Sequence, residues 1–158
     1  MQDIAELHPL VVHFPIAILI LYILVEVVSV FINNEKLKFT AQFLLIAGVI
    51  SALAAVLSGN QAEQIASKII EKHNLTSAQK ALEAHEEQAT FFLWYFVFVL
   101  VIRTMFILKK KFNGFRKIFV SILAVIGLYL IINTGKYGGE LVYKYGVGTN
   151  SFNEKINE

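Results

Sequence analysis

The twenty residues ATFFLWYFVFVLVIRTMFIL, at positions 89–108, contain a single charged side chain, Arg103. A helix of about 20 apolar residues is long enough to cross the hydrocarbon core of a bilayer, which is about 30 Å thick. Three further stretches are similarly apolar, at residues 9–32, 39–58 and 118–134. The sequence therefore predicts an all-α membrane protein, in which four spans form a four-helix bundle and residues 1–158 form a single domain.

The composition agrees with this fold class and excludes several kinds of site. Apolar residues make up 56% of the chain, whereas soluble domains contain about 45–50%. Cysteine is absent, which excludes disulfides, iron–sulfur clusters, thiolate metal sites and covalently attached haem in this chain. Asp3 and Glu6 precede an apolar run that is too long for a signal peptide. No basic cluster has the pattern of a nucleic-acid surface.

Two polar segments flank the last two spans. Residues 59–88 predict two short helices, because Asn60 with Glu63 and Thr76 with Gln79 have the spacing of N-terminal capping pairs. The second of these helices meets no breaker, so we expect it to continue into the third span. The glycine-rich tail, residues 135–158, is expected to fold over the outer face of the bundle.

Lysine and arginine are concentrated in two of the loops that the four spans define. The loops after the first and third spans hold seven of them: Lys36, Lys38, Lys109, Lys110, Lys111, Arg116 and Lys117. In residues 59–88, on the opposite side, five glutamates outnumber three lysines. Because basic loops stay in the cytoplasm, the sequence predicts a multi-pass protein of the bacterial inner membrane with both termini in the periplasm.

All four histidines fall on the predicted outer side. His8 lies at the mouth of the first span and His13 about one turn inside it. His85 lies at the start of the third span, and His73 is interpreted as a surface residue in a polar turn. Ionisable residues at a membrane boundary are costly and often functional. The alternative interpretation makes His8 and His13 interfacial residues bonded to backbone, and His85 a solvated loop residue. The zinc-protease motif HExxH is excluded, because position 89 is alanine.

Two further patterns favour structural roles. Glu26 and Arg103 lie about equally deep in the first and third spans, which predicts a structural ion pair, with a proton relay as the alternative. A stripe of small residues in the second span indicates close helix packing, either within the bundle or in a dimer. Its members are Ala47, Gly48, Ser51, Ala52, Ala55 and Gly59.

Three segments together resemble an uncharacterised bacterial family of small four-span membrane proteins, which is defined as a domain of unknown function. They are HPLVVHFPIA at 8–17, His85-Glu86, and GGELVY at 138–143 with Gly146-Val147-Gly148. Related domains occur fused to periplasmic cytochrome c or Rieske domains, and this context implies membrane-linked electron transfer. The histidines of the family motifs correspond to His8, His13 and His85.

The leading hypothesis is an electron-transfer protein with b-type haem at the periplasmic face, rather than a stand-alone enzyme. Imidazoles from facing helices hold haem axially, and His13 with His85 is the predicted pair, supported by His8. The expected redox partner is a periplasmic cytochrome or a larger respiratory-type membrane complex. The protein itself is expected to contact the lipid bilayer and to bind no nucleic acid.

Three alternatives remain open from the sequence. The first is a binding or transport protein for zinc, iron or copper, which uses the same histidines with support from Glu63, Glu86 or Glu140. The second is a non-catalytic subunit of a larger membrane complex. The third is a quinone site, which needs only one or two polar donors in an apolar pocket. A homo-oligomer is compatible with each of them.

Overall fold

A computed structural model describes residues 2–149, with side chains from residue 7 onward, as a helical bundle. Its helices are α1 (Gln2–Val11), α2 (His13–Phe31), α3 (Glu35–Lys72), α4 (Thr76–Leu108) and α5 (Gly114–Tyr143). Four stretches are long and apolar enough to cross a membrane, namely residues 7–31, 35–72, 76–108 and 114–143. The predicted all-α membrane bundle is therefore confirmed. The end of the predicted tail, residues 150–158, lies outside the described residues.

The helices alternate in direction, so the bundle has two chemically different ends. α2 packs against α3 and α5, and α4 packs against α3 and α5. The loops 32–34 and 109–113 lie at one end, which we call the basic end. Residues 2–13, 59–88 and 135–149 lie at the other, which we call the histidine end.

α3 and α4 are much longer than a bilayer requires. With a rise of 1.5 Å per residue, their 38 and 33 residues extend about 57 Å and about 50 Å. About 20 residues cross the hydrocarbon core, so residues 59–72 of α3 and 76–88 of α4 extend beyond the membrane at the histidine end. The expectation that α4 runs without a break from the polar segment into the third span agrees with this structure.

The two separate short helices predicted for residues 59–88 are wrong. α3 continues through Asn60 to Lys72, because no proline interrupts it and Ala66 and Ile70 are buried against other helices. The chain turns at Asn74, whose φ of +54° lets the Leu75 N–H reach the Ile70 carbonyl at 3.0 Å. α4 then begins at Thr76, so its N-cap residue is Leu75, which makes no side-chain capping bond, rather than the predicted Thr76.

The first predicted span is divided. α1 ends at Val11 and α2 begins at His13, two and four residues after Pro9, the expected start of the first span. The cause is Pro15, which has no N–H for the carbonyl of Val11 and whose ring crowds that carbonyl. α1 packs along α3 and takes the place of α2 in the part of the bundle beyond the membrane.

Two apolar cores are stacked along the bundle. The membrane core contains fully buried side chains from all four spans, among them Leu19, Leu45, Phe96 and Ala124. A satellite core at the histidine end joins the extensions of α3, α4 and α5, and its buried members are Ala66, Ile70, Ala78, Leu82 and Leu141. Tyr145 and Val147 pack against it.

The tail covers this satellite core, but it does not begin as a loop. α5 continues as a helix through the glycines to Tyr143, so residues 135–143 are part of the bundle. The chain then turns back at Gly146, which has a φ of +74°, a conformation that glycine adopts at little cost. The Val147 N–H bonds the Leu141 carbonyl at 3.0 Å and closes the turn.

Glycine creates close contacts inside the membrane core. Gly48 faces the Leu19 side chain with no space for a Cβ, so this part of the small-residue stripe serves packing within the bundle. Gly127 faces Phe96 in the same way, and a Cβ at position 127 would lie 2.5 Å from Phe96 Cζ. Phe96 is fully buried and cannot yield without disturbing the core.

A buried polar network joins the spans near the basic end. Arg103 and Glu26 have no exposed side-chain area, and the guanidinium Nε and Nη2 both lie 2.9 Å from Glu26 Oε2. Nη1 donates to Gln42 Oε1 at 2.6 Å, and Nη2 donates to the Lys38 carbonyl at 3.1 Å. The Phe112 ring covers the guanidinium at 4.7 Å. Arg103 therefore connects α2, α3 and α4 in a setting where water cannot replace its partners.

The Gly127→Ala substitution should destabilise the bundle by about 1–3 kcal/mol, which is the usual cost of overpacking a core. Gly135→Ala is the matched control, because nothing lies within 4 Å of a Cβ at that position. Alanine there should be neutral or stabilising, since it is the better helix former. The free energy of unfolding of both variants is measured on purified protein in mixed detergent micelles. Equal losses of stability in Gly127→Ala and Gly135→Ala would contradict the packing described.

Glu26→Gln and Arg103→Gln should each destabilise the protein by about 3–5 kcal/mol, because each leaves a buried charge without its partner. The double variant should lose less than the sum of the two, by about 0.5–3 kcal/mol. A double-mutant cycle of unfolding free energies in detergent gives this coupling. Strict additivity of the two effects would show that the groups do not stabilise each other.

Candidate functional site

His8 is held on α1 by the small residues of α3. Its Nδ1 lies 3.0 Å from the Ser58 hydroxyl, and that hydroxyl donates to the Ala55 carbonyl at 2.9 Å. The one hydroxyl proton of Ser58 is thereby used, so we assign the proton of the neutral imidazole to Nδ1, from which it is donated to Ser58. The lone pair of His8 is then on Nε2.

Gly59 gives the His8 ring its position. A Cβ at residue 59 would lie 3.0 Å from His8 Cε1 and 3.6 Å from Nε2, which is closer than carbon atoms normally approach. The ring therefore directs its Cε1 edge at the backbone of α3. Any larger residue at position 59 would push the imidazole away from Ser58.

His85 is placed on α4 in an equivalent way against α5. A Cβ at Gly138 would lie 3.2 Å from His85 Cε1, and the Thr134 carbonyl accepts a hydrogen bond from the ring. In the described part of the chain, His85 Nδ1 and Thr134 Oγ1 are buried polar atoms without a hydrogen-bond partner. Five other buried polar atoms of the described residues also lack a partner, among them Glu26 Oε1 and His73 Nε2, so it is the nearness of His8 that distinguishes His85.

The two imidazoles lie near each other. A proton on His8 would be close enough to act on His85, and both rings lie between the membrane core and the satellite core. Burial, and secondly the charge of His8, lowers the pKa of His85 from its ordinary value of 6.5. His85, in the extension of α4 beyond the membrane, is therefore a neutral imidazole near pH 7, the form that binds a metal.

The other two histidines lie elsewhere. His13 is the first residue of α2, next to the helix break, and its side chain is exposed. The structure brings His8 rather than His13 to His85, and the axial pairing of His13 with His85 stays a prediction. His73 ends α3 in a turn, as expected, and is partly buried.

A pair of carboxyl groups lies on the extensions of α3 and α4. The carboxyl groups of Glu63 and Glu86 hydrogen-bond to each other, and burial first, then the charge of Glu86, raises the pKa of Glu63. Glu140 is used differently, since its Oε1 accepts from Lys144 at 2.7 Å. Within the described residues, no three His, Asp or Glu side chains are placed to hold one metal ion.

Sequence reasoning found the histidines but missed the residues that hold them. Ser58 and Gly59 entered only as members of a packing stripe, and Thr134 and Gly138 were not connected with His85. The only signal in the sequence was the presence of small residues, such as Gly59 and Gly138, near the outer end of a span. That signal is too common to select a site without knowing which helices face each other.

The sequence profile of one family matches residues 5–151, which is nearly the whole chain. The chain belongs to the DUF2231 family of predicted membrane proteins. Every residue of the histidine site lies within the matched region. No curated protein and no solved structure matches the chain. Membership in DUF2231 agrees with the four spans and with the resemblance to a domain of unknown function.

The cofactor-free protein should lose stability as the pH falls below about 6.5, because His85 binds a proton more readily in the unfolded chain than in the folded one. The His85→Gln variant should show a weaker loss over the same range, and His73→Gln should behave like the wild type. Thermal unfolding in detergent between about pH 7.5 and pH 5 measures this dependence. An unchanged pH profile in His85→Gln would contradict the assignment.

Proposed function

We propose that this DUF2231 protein is a membrane electron-transfer protein whose histidine end binds b-type haem through His8 and His85. The observation that supports the proposal is the closeness of two imidazoles from different helices, one of which, His85, has a buried Nδ1 without a partner among the described residues. The sequence alone favours His13 for the second ligand. The exposed position of His13 is the reason for giving that role to His8.

The residues present match what haem requires of a protein. The porphyrin supplies four nitrogen ligands and the chain supplies two, whereas a zinc ion takes three or four ligands from the protein. A ligating imidazole also needs an acceptor for its other N–H, which fixes the tautomer and ring orientation. Ser58 provides that acceptor for His8, and the Thr134 carbonyl provides it for His85.

Bound haem would supply a one-electron couple, and the chain would set the conditions under which that couple works. Gly59 and Gly138 fix where the two rings lie. Burial between the two cores lowers the local dielectric, and the hydrogen bonds of the imidazoles adjust their basicity. These are the means by which a protein tunes a redox potential.

The proposal includes an orientation and a partner. Seven lysine and arginine residues at the basic end favour its placement in the cytoplasm, so the histidine end would face the periplasm of a bacterial inner membrane. Electrons would then pass between this site and a periplasmic cytochrome or a larger membrane complex.

A metal-ion site is the second candidate, and the Glu63–Glu86 pair favours it. These carboxyl groups share a hydrogen bond. Glu86 directly follows His85 in the sequence, and imidazole with carboxylate suits zinc, iron or copper(II). Binding of such an ion would require the carboxylates to turn toward the histidines. This requirement ranks it below haem.

An absorption spectrum tests the proposal. Protein purified in detergent after expression with haem supply should show a Soret band. His8→Ala and His85→Ala should each lose most of that band, because each removes one axial ligand. His13→Ala and His73→Ala are the matched controls and should keep it.

Two other results would contradict the proposal. A folded, colourless wild-type protein would exclude haem, and metal analysis of the same sample would then decide the second candidate. A Soret band that is lost in His13→Ala and kept in His8→Ala would restore the pair that the sequence alone favours.

A further inference from the structure

The basic end carries an excess of positive charge that the structure does not neutralise. Seven cationic residues lie in or beside its two loops, and Glu35 is the one acidic residue there. The positive-inside rule uses the number of these residues to predict orientation in the membrane, but it does not concern their contacts. Their contacts in the folded protein divide them into two groups.

Two of these cations have partners within the protein. Lys38 forms an ion pair with Glu35. Lys117 is buried and donates to the Ser29 carbonyl at 3.3 Å and to Asn33 Oδ1 at 3.0 Å. Its hydrogen-bond partners are neutral oxygens, and the charges of Lys38, Glu35 and Glu26 act on it from farther away.

The remaining cations project outward. Lys36, Lys109, Lys110 and Lys111 are exposed, and among the described side chains none of these four forms an ion pair with a carboxylate. Within the part of the chain that the structure describes, Arg116 contacts the Lys111 carbonyl at 3.2 Å and the Phe106 ring at 5.9 Å. The lysine cluster 109–111 and Arg116 therefore present a positive surface without an internal counter-charge.

Two helix N-termini add to this potential. α3 begins at Glu35 and α5 at Gly114, both at the basic end, and a helix N-terminus carries a partial positive charge. The first turn of α5 contains Arg116 and Lys117 and no acidic residue, and Asn113 makes no side-chain capping bond. Cations at this position oppose the helix dipole, so an external anion would relieve a repulsion that the fold maintains.

Large apolar side chains surround the same surface. Phe31, Leu108 and Phe115 are 83%, 77% and 80% exposed, and Phe39 is 74% exposed. They continue the lipid-facing surface of the spans up to the lysines. An apolar belt directly beside a cluster of cations fits the boundary between acyl chains and headgroups, and it fits neither a nucleic acid nor a water-soluble acidic protein.

We propose that the basic end is a binding surface for anionic phospholipids. Lys109, Lys110, Lys111 and Arg116 would contact headgroup phosphates, while Phe115 and Leu108 would lie among the upper acyl chains. The partner is a lipid because the charged and the apolar parts form one continuous surface at membrane depth. This proposal is independent of the histidine site, since it uses no residue of that end.

Native mass spectrometry of the protein released from nanodiscs tests the surface. The discs contain phosphatidylglycerol and phosphatidylcholine in equal amounts, and the retained lipids are counted by class. Wild-type protein should retain phosphatidylglycerol preferentially. K109S/K110S/K111S should reduce that preference about tenfold or more, since each lysine near an anionic surface contributes about fivefold.

The matched control is K68S/K72S/K80S, which removes three exposed lysines at the histidine end and should leave the lipid preference unchanged. Protease accessibility before purification verifies that each variant keeps the wild-type orientation. Phe115→Ser is a second test and should weaken retention without any change in charge. Added inorganic phosphate should displace the lipid poorly, because it lacks the acyl chains.

Three results would overturn the proposal. One is equal retention of the two lipids by the wild type, and another is an equal loss in both triple variants. The third is complete displacement by inorganic phosphate at physiological concentration, which would make this an anion site rather than a lipid surface.

Discussion

A bilayer core is about 30 Å thick, but α3 extends about 57 Å and α4 about 50 Å. This difference in length governs the rest of the structure. The surplus of both helices projects beyond the membrane at one end only, where it needs apolar partners of its own. α1, the end of α5 and the returning chain at Tyr145 and Val147 supply them. The histidine site forms at the junction between this satellite core and the membrane core.

The two ends of the bundle handle polar groups in different ways. Near the basic end, Arg103 donates hydrogen bonds to Glu26, Gln42 and a backbone carbonyl. Its positive charge is therefore paired within the protein. At the histidine end, His85 Nδ1 is left without a partner among the described residues. Glu26 Oε1 and the Tyr22 hydroxyl also lack a partner among the described residues, but they lie beside a buried pair of opposite charges. His85 Nδ1 belongs instead to an imidazole whose neutral form offers a lone pair to a ligand. This contrast is why we assign a structural role to one end and a binding role to the other.

The spans, their number and the depth of Glu26 and Arg103 could be predicted from sequence, because bilayer thickness and the cost of a buried charge are local constraints. The helix boundaries were less accessible. Asparagine is a common N-cap residue, so a new helix was predicted to begin at Asn60. Instead α3 continues through Asn60, because this buries Ala66 and Ile70 against other helices. The choice between His8 and His13 depended on the break at Val12 and on Gly59 of another helix. The spacing of residues along one helix cannot predict the position of His8, because that position depends on which helices pack against each other.

The convergence of His8 and His85 is tested most directly by cross-linking. The chain has no cysteine, so His8→Cys/His85→Cys and His13→Cys/His85→Cys each create one defined thiol pair. In membranes treated with a mild oxidant or a short bifunctional maleimide, we expect efficient intramolecular cross-linking of the 8/85 pair and little of the 13/85 pair. Cross-linking of 13/85 in preference to 8/85 would contradict the site described here.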